Sequence, residues 1–123
     1  MSSKSFNLRI NKKISPFRKN IKVDSDKSIS IRSFIISAIS QNISYIENVL
    51  ESDDVFSTIK CLQKLGVKIL KKSSGKYLVY GKGLGSLHAK KNVELNFGNS
   101  GTLARLIIGV LSPTPNIEIR VKG

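Results

Sequence analysis

Along this chain the spacing of apolar residues switches from two to the helical period, and the same helical stripe then returns at a fixed distance. Ile31, Phe34, Ile35, Ala38 and Ile39 follow the i, i+3, i+4, i+7, i+8 rule of an amphipathic helix. Leu103, Leu106, Ile107, Val110 and Leu111 repeat that spacing 72 positions later, with Leu103 answering Ile31. A chain that must bury two such stripes with short strands between them folds as alternating β and α elements in repeated units. In this register Ser28 falls on Ser100 and Lys27 on Asn99, so each helix is expected to open on a polar pair.

The remaining elements follow from alternation and punctuation. Phe6, Leu8 and Ile10 alternate with Asn7, Arg9 and Asn11, and Ile21 and Val23 alternate with Lys22 and Asp24, which predicts two short strands around Pro16. Ser28 is placed to start the first helix. A strand is expected over Ser44 to Leu50, then a helix opened by Ser52-Asp53-Asp54, a capping serine followed by two acids at the positive end of the helix dipole. Val55, Phe56, Ile59, Leu62 and Leu65 form its expected buried stripe, and Gly66 ends it. Val67 to Leu70 and Tyr77 to Tyr80 read as a hairpin around Ser73-Ser74-Gly75. The order is β-α-β-α-β-β. After a glycine-rich connection the pattern restarts with a strand at Val93 to Leu95, a helix from Gly101 to Leu111, a break at Pro113 and a strand from Ile117 to Val121. The second unit is half built where the sequence stops.

Composition narrows the setting. A formal charge of +13, from 21 Lys and Arg against 8 Asp and Glu, points to anionic partners, although codon bias in an AT-rich genome accounts equally well for abundant Lys, Ile, Ser and Asn. A single cysteine, Cys61, excludes an internal disulfide and favours a reducing, cytoplasmic setting. Apolar runs such as Phe34-Ile35-Ile36 fall far short of the roughly 20 residues of a membrane helix. Residues 1–23 hold seven Lys or Arg and no acid, as an organelle transit peptide does, but their alternation argues for strands.

Helix starts attract phosphate and carboxylate through free N–H groups and the dipole. At the first start Lys27 adds a point charge and Ser28 a hydroxyl, with Arg32 one turn later on nearly the same side as Ser28. At the second, Gly98-Asn99-Ser100-Gly101-Thr102 supplies two glycines that admit a ligand close to the backbone, with an amide and hydroxyls to orient it. Ordinary capping explains either site taken alone.

Taken together they resemble a family. Asp26-Lys27-Ser28-Ile29-Ser30-Ile31-Arg32 is similar to the Lys-Ser-x-Ser-x-Arg signature of 5-enolpyruvylshikimate-3-phosphate synthases. Gly98-Asn99-Ser100-Gly101-Thr102 resembles their Gly-Asn-Ala/Ser-Gly-Thr signature, and Glu47 to Asp54 and Lys64-Leu65-Gly66-Val67 also look like family sequence. Four motifs in order carry far more weight than any one.

The resemblance implies an α/β fold of repeated βαβαββ units, the inside-out α/β barrel of the enolpyruvyl transferases, incomplete here and several times longer in full. Residues 1–24 would then be a strand pair packing with the missing second lobe, and residues 25–123 the first unit and the start of the second. The implied reaction moves the enolpyruvyl group of phosphoenolpyruvate to the 5-hydroxyl of shikimate 3-phosphate, in the cytoplasm, by a monomer, with no metal or organic cofactor, membrane or nucleic acid. By matching position, Lys27 would touch both substrates and act in catalysis, Ser28 and Arg32 would hold shikimate 3-phosphate, and Gly101, Asn99 and Thr102 would form the phosphoenolpyruvate loop. Arg105 fits either the site or a structural ion pair. A glycine at 101, rather than a bulkier residue, implies sensitivity to glyphosate.

Departures are specific. The family usually has Pro-Gly where this chain has Asp24-Ser25, and Asn or His where Ile31 stands, so the first loop is expected to differ in shape. The later arginines, acids and lysine of the family lie beyond Gly123, so this stretch alone is expected to be inactive, whether it is a partial record, one part of a split enzyme or a relic. The sister UDP-N-acetylglucosamine enolpyruvyl transferases typically follow their early lysine with asparagine and lack an arginine at the position of Arg32. A basic nucleic-acid-binding domain is the rival of another class, but Tyr45, Tyr77 and Tyr80 form no stacking run and the lysines are scattered. Gly81-Lys82-Gly83-Leu84-Gly85 lacks a following helix and reads as a connection, His88 as a loop residue, and Cys61 as partly buried packing.

Overall fold

The computed structural model describes residues 6–123. Residues 6–26 carry neither helix nor strand, so the two strands expected at Phe6–Asn11 and Ile21–Asp24 are not formed among the described residues; residues 1–5 of the expected 1–24 segment lie outside them. Phe6, Leu8, Ile10, Ile21 and Val23 are all exposed. Alternation marks which face of a strand is apolar, but a strand exists only where a neighbour pairs its N–H and C=O groups, and none does so among the described residues.

Regular structure begins with α1 (Lys27–Ile39), followed by β1 (Ile43–Ile46), α2 (Asp53–Lys64), β2 (Lys68–Ser73), β3 (Lys76–Tyr80), β4 (Val93–Asn96), α3 (Gly101–Leu111) and β5 (Ile119–Lys122). β1, β3 and β2 form an antiparallel sheet in that order, with Tyr45 opposite Leu78 and Ile69 opposite Val79. β4 and β5 pair in parallel across α3, Leu95 opposite Val121, as the βαβ geometry of a crossover helix demands. The strand expected to run to Leu50 stops at Ile46, because Asn48 takes a left-handed φ of 57° and turns the chain away.

α1 and α2 cover one face of the three-stranded sheet, and α1 also packs on α3. One apolar cluster runs through both units, joining Ile31, Phe34 and Ile35 to Leu62, Val79, Leu95, Leu103 and Ile107. The outer face of the sheet, with Ile43 and Tyr45, stays exposed. Two stripe expectations are corrected: Phe56 is 37% exposed on α2, its place in the core taken by Thr58 and Cys61, and Leu106 is 37% exposed on α3. The 72-residue register therefore holds for Ile31 with Leu103 and Ile35 with Ile107, and fails for Phe34 with Leu106.

The α2 ends behave unequally. Ser52 occupies the N-cap, but its side chain makes no capping bond, and its buried hydroxyl has no partner among the described residues. The C-terminus is a Schellman closure, with Val67 N–H donating to Leu62 O and Gly66 N–H to Gln63 O, both at 3.0 Å, while Gly66 takes a φ of +88°. His88 lies against that glycine, where any side chain at 66 would strike its ring.

Glu51 locks the hairpin to the approach of α2. Its Oε1 accepts from Tyr77 Oη at 2.7 Å and Gly75 N–H at 3.1 Å, and lies 2.8 Å from Lys71 Nζ. The Lys71 bond first, then those of Tyr77 and Gly75, hold the carboxyl at about 2, below its ordinary 4.5. A depressed acid adds stability that is complete above its unfolded value and is lost as pH falls toward the folded one. Glu51→Gln is therefore expected to flatten the loss of stability between pH 4.5 and about 2, read by denaturant unfolding at stepped pH. An unchanged slope in that window would remove Glu51 as its source.

Candidate active site

The start of α1 is set by Asp26, whose carboxylate accepts the Ile29 N–H at 2.7 Å. Ser28 is thus not the cap expected from sequence; the carboxylate of Asp26, two residues earlier, takes that place, and Ser28 becomes the second helical residue, half-buried. The two helices consequently open at positions that the apolar register does not align. Lys27, the first residue of α1, reaches across to α2, with Nζ 2.8 Å from Asp54 Oδ2; the lysine side chain is half exposed and the aspartate largely covered. Arg32 follows on an exposed position and lines an apolar hollow of about 220 Å³ between α1 and α3 with Ile36 and Leu106.

The start of α3 is built by the loop 97–100. Ser100 is the N-cap, buried, its Oγ accepting the Leu103 N–H at 3.2 Å. Gly98 takes a φ of +56° and donates its N–H to Asn96 Oδ1 at 2.9 Å. Asn99 is left exposed, Thr102 half-buried in the first turn, and a Cβ on Gly101 would meet no atom of the described residues within 4 Å beyond its chain neighbours and its own helix backbone. Gly98, Asn99, Gly101 and Lys122 border an open hollow of about 630 Å³. Arg105 is exposed and joins no ion pair among the described residues, which leaves its structural alternative without a partner.

α2 connects the two starts. Asp54 meets Lys27, and Ser57, one turn further on, lies beneath Gly98, its Oγ 3.3 Å from where a Cβ there would sit. The first turns of the three helices therefore share one end of the helical layer. Lys27, Ser28, Asn99, Gly101 and Thr102 stand at that end, with Arg32 a turn below. Free N–H groups, aligned dipoles and a lysine make this end attractive to anions. Asp54 was legible only as a dipole acid; its grip on Lys27 joins residues that no local motif links.

Residues set aside from the sequence behave as packing. The 81–85 loop serves α1: Lys82 N–H donates to Ala38 O and Gly83 N–H to Ser40 O, both at 2.8 Å, capping the last carbonyls of the helix. A Cβ at Gly81 would overlap the Ser40 carbonyl oxygen. Cys61 is fully buried, more so than expected, with its thiol donating to Asn96 O at 3.3 Å and pushed up in pKa by burial. No helix among the described residues is long and apolar enough to cross a membrane.

The family model for EPSP synthase (3-phosphoshikimate 1-carboxyvinyltransferase) matches residues 11–123. The chain belongs to the EPSP synthase family. The 3-phosphoshikimate 1-carboxyvinyltransferase of Syntrophomonas wolfei is 41% identical over 111 residues, covering 90% of this chain and 26% of the relative. That of Vesicomyosocius okutanii is 46% identical over 93 residues, covering 76% and 21%. The solved EPSP synthase from Acinetobacter baumannii superposes with a TM-score of 0.72 at 31% identity, covering 84% of this chain and 23% of that one. The α/β fold of the EPSP synthase family is thus present, over about a quarter of the relatives' length.

Proposed function

We propose that the full-length protein transfers the enolpyruvyl group of phosphoenolpyruvate to the 5-hydroxyl of shikimate 3-phosphate and releases inorganic phosphate, as a cytoplasmic monomer of the shikimate pathway. The observation that carries this reading is the family membership of residues 11–123. The shared helix-start end supports it, since the reaction brings two phosphorylated substrates together. Addition of the hydroxyl to C2 and a proton to C3 gives a tetrahedral adduct, and loss of phosphate with a C3 proton restores the double bond. Charge builds beside several anionic groups, so cationic donors fixed beforehand stabilise it most. Lys27 faces both substrates in this reading, Ser28 and Arg32 hold shikimate 3-phosphate, and Asn99, Gly101 and Thr102 seat phosphoenolpyruvate, with Arg105 nearby. The choice of Ser28 and Arg32 favours this acceptor over a UDP-sugar.

Phosphate release by the full-length protein should require both phosphoenolpyruvate and shikimate 3-phosphate, and the 123-residue chain alone should show none. Release with UDP-N-acetylglucosamine instead of shikimate 3-phosphate would replace the reading with its sister activity. Gly101→Ala adds a methyl group that meets no tertiary neighbour within 4 Å among the described residues. Its stability should stay within about 0.5 kcal/mol of wild type, while KM for phosphoenolpyruvate rises and inhibition by glyphosate weakens. Unchanged KM and inhibition would move the phosphoenolpyruvate site away from this loop.

A further inference from the structure

Ser30 lies three residues beyond Lys27 and is 5% exposed, yet its hydroxyl both donates and accepts. It donates to Asp26 O at 2.7 Å and accepts the Leu50 N–H at 3.0 Å. The first bond stays within α1; the second crosses to the segment that leads into α2. Asp26 is also the N-cap that begins α1, and its carbonyl takes the Ser30 N–H at 3.0 Å. Leu50 lies two residues before the Ser52 cap of α2, whose first turn carries Asp54. The hydroxyl therefore joins the opening of one helix to the approach of the other. Lys27 and Asp54 hang from these two openings and meet at 2.8 Å.

We infer that Ser30 is a positioning residue for Lys27: its paired hydrogen bonds fix the first turn of α1 against the start of α2, and so fix where the Lys27 ammonium sits. This rests on the proposed enolpyruvyl transfer. Two features of the site give the bridge its importance. Ser52 supplies no side-chain capping bond, so the start of α2 lacks the usual local anchor. Lys27 is a long, half-exposed side chain, held at its tip by one carboxylate. Without the Ser30 bridge the two helix openings shift independently, and a displacement of about 1 Å in a reacting group is enough to cost on the order of 100-fold in rate. Threonine keeps the oxygen and is able to bond the carbonyl one turn back in a helix, so Ser30→Thr preserves the bridge.

The test compares wild type, Ser30→Ala and Ser30→Thr in the full-length protein, each with and without Lys27→Met. Ser30→Ala should lower kcat/KM by roughly 10- to 100-fold, and Ser30→Thr should restore it to within about threefold of wild type. In the Lys27→Met background Ser30→Ala should cost less than about twofold, because residues acting as a unit are not additive. An equal loss in both backgrounds, or full activity in Ser30→Ala, would overturn the inference. A wild-type protein that fails to turn over these substrates would defeat the proposed function instead. The Lys27 side-chain NMR signal and Leu50 amide exchange then decide separately. Faster Leu50 exchange together with a shifted Lys27 signal in Ser30→Ala upholds the positioning role, and an unmoved Lys27 signal rejects it.

Discussion

Phe34→Ala is expected to cost about 3–5 kcal/mol of folding stability, a large share of the roughly 5–15 kcal/mol that keeps a domain folded. Phe34 is completely buried on α1, and its ring meets Tyr77 of β3 edge to face, with centroids 5.2 Å apart and planes at 79°. The truncation leaves a cavity between helix and sheet and removes the edge-to-face contact, itself worth about 0.5–1.5 kcal/mol. Tyr77 also donates to Glu51, so the damage reaches the bond that holds the hairpin. Urea unfolding should show a collapsed or strongly lowered midpoint. Phe56→Ala is the matched control: more than a third of that residue is already exposed, and its cost should stay within about 1 kcal/mol. Equal losses at the two positions would mean that the core is not organised around α1 as described.

Lys27→Met should lower kcat of the full-length protein by about 100- to 1,000-fold with stability almost unchanged. The two expectations come from the same geometry. Lys27 stands at the positive end of α1 beside the other two helix starts, where in the proposed enolpyruvyl transfer a fixed cation would stabilise the developing charge. As a structural ion pair with Asp54 it contributes little, since a half-exposed pair is worth about 0–1 kcal/mol. Steady-state kinetics with both substrates and thermal unfolding separate the effects. A variant that loses stability and keeps its rate would make Lys27 a structural lysine.

Much of this fold was readable where local signals agree. α3 appears over Gly101–Leu111 as expected, because Ser100 caps it and Pro113 follows it closely. The hairpin turn at Ser74-Gly75 and the end of α2 at Gly66 were equally plain, since glycine meets the positive φ that each requires. The strands expected before Pro16 and at Ile21 are not formed among the described residues, because the partners a strand needs are not encoded in its own residues. Phe56 and Leu106 fit a helical period, yet period alone does not tell how wide the covered side of a helix is. The binding candidates were legible as motifs, whereas the Lys27–Asp54 pair and the Ser30 bridge to Leu50 join residues 20 or more positions apart and emerge only from packing.

The empty surroundings of Gly101 also bear on descent. Single-base changes that place alanine there add a methyl group that meets no tertiary neighbour among the described residues, so the packing of this unit places little restraint on that position. At Gly81 the same change drives a methyl group into the end of α1 and is removed whatever the protein does. Among related lineages, variation at the two glycines should therefore record different histories: at 81 the demands of a foldable chain, and at 101, if the proposed phosphoenolpyruvate loop holds, the ligands that each lineage has met.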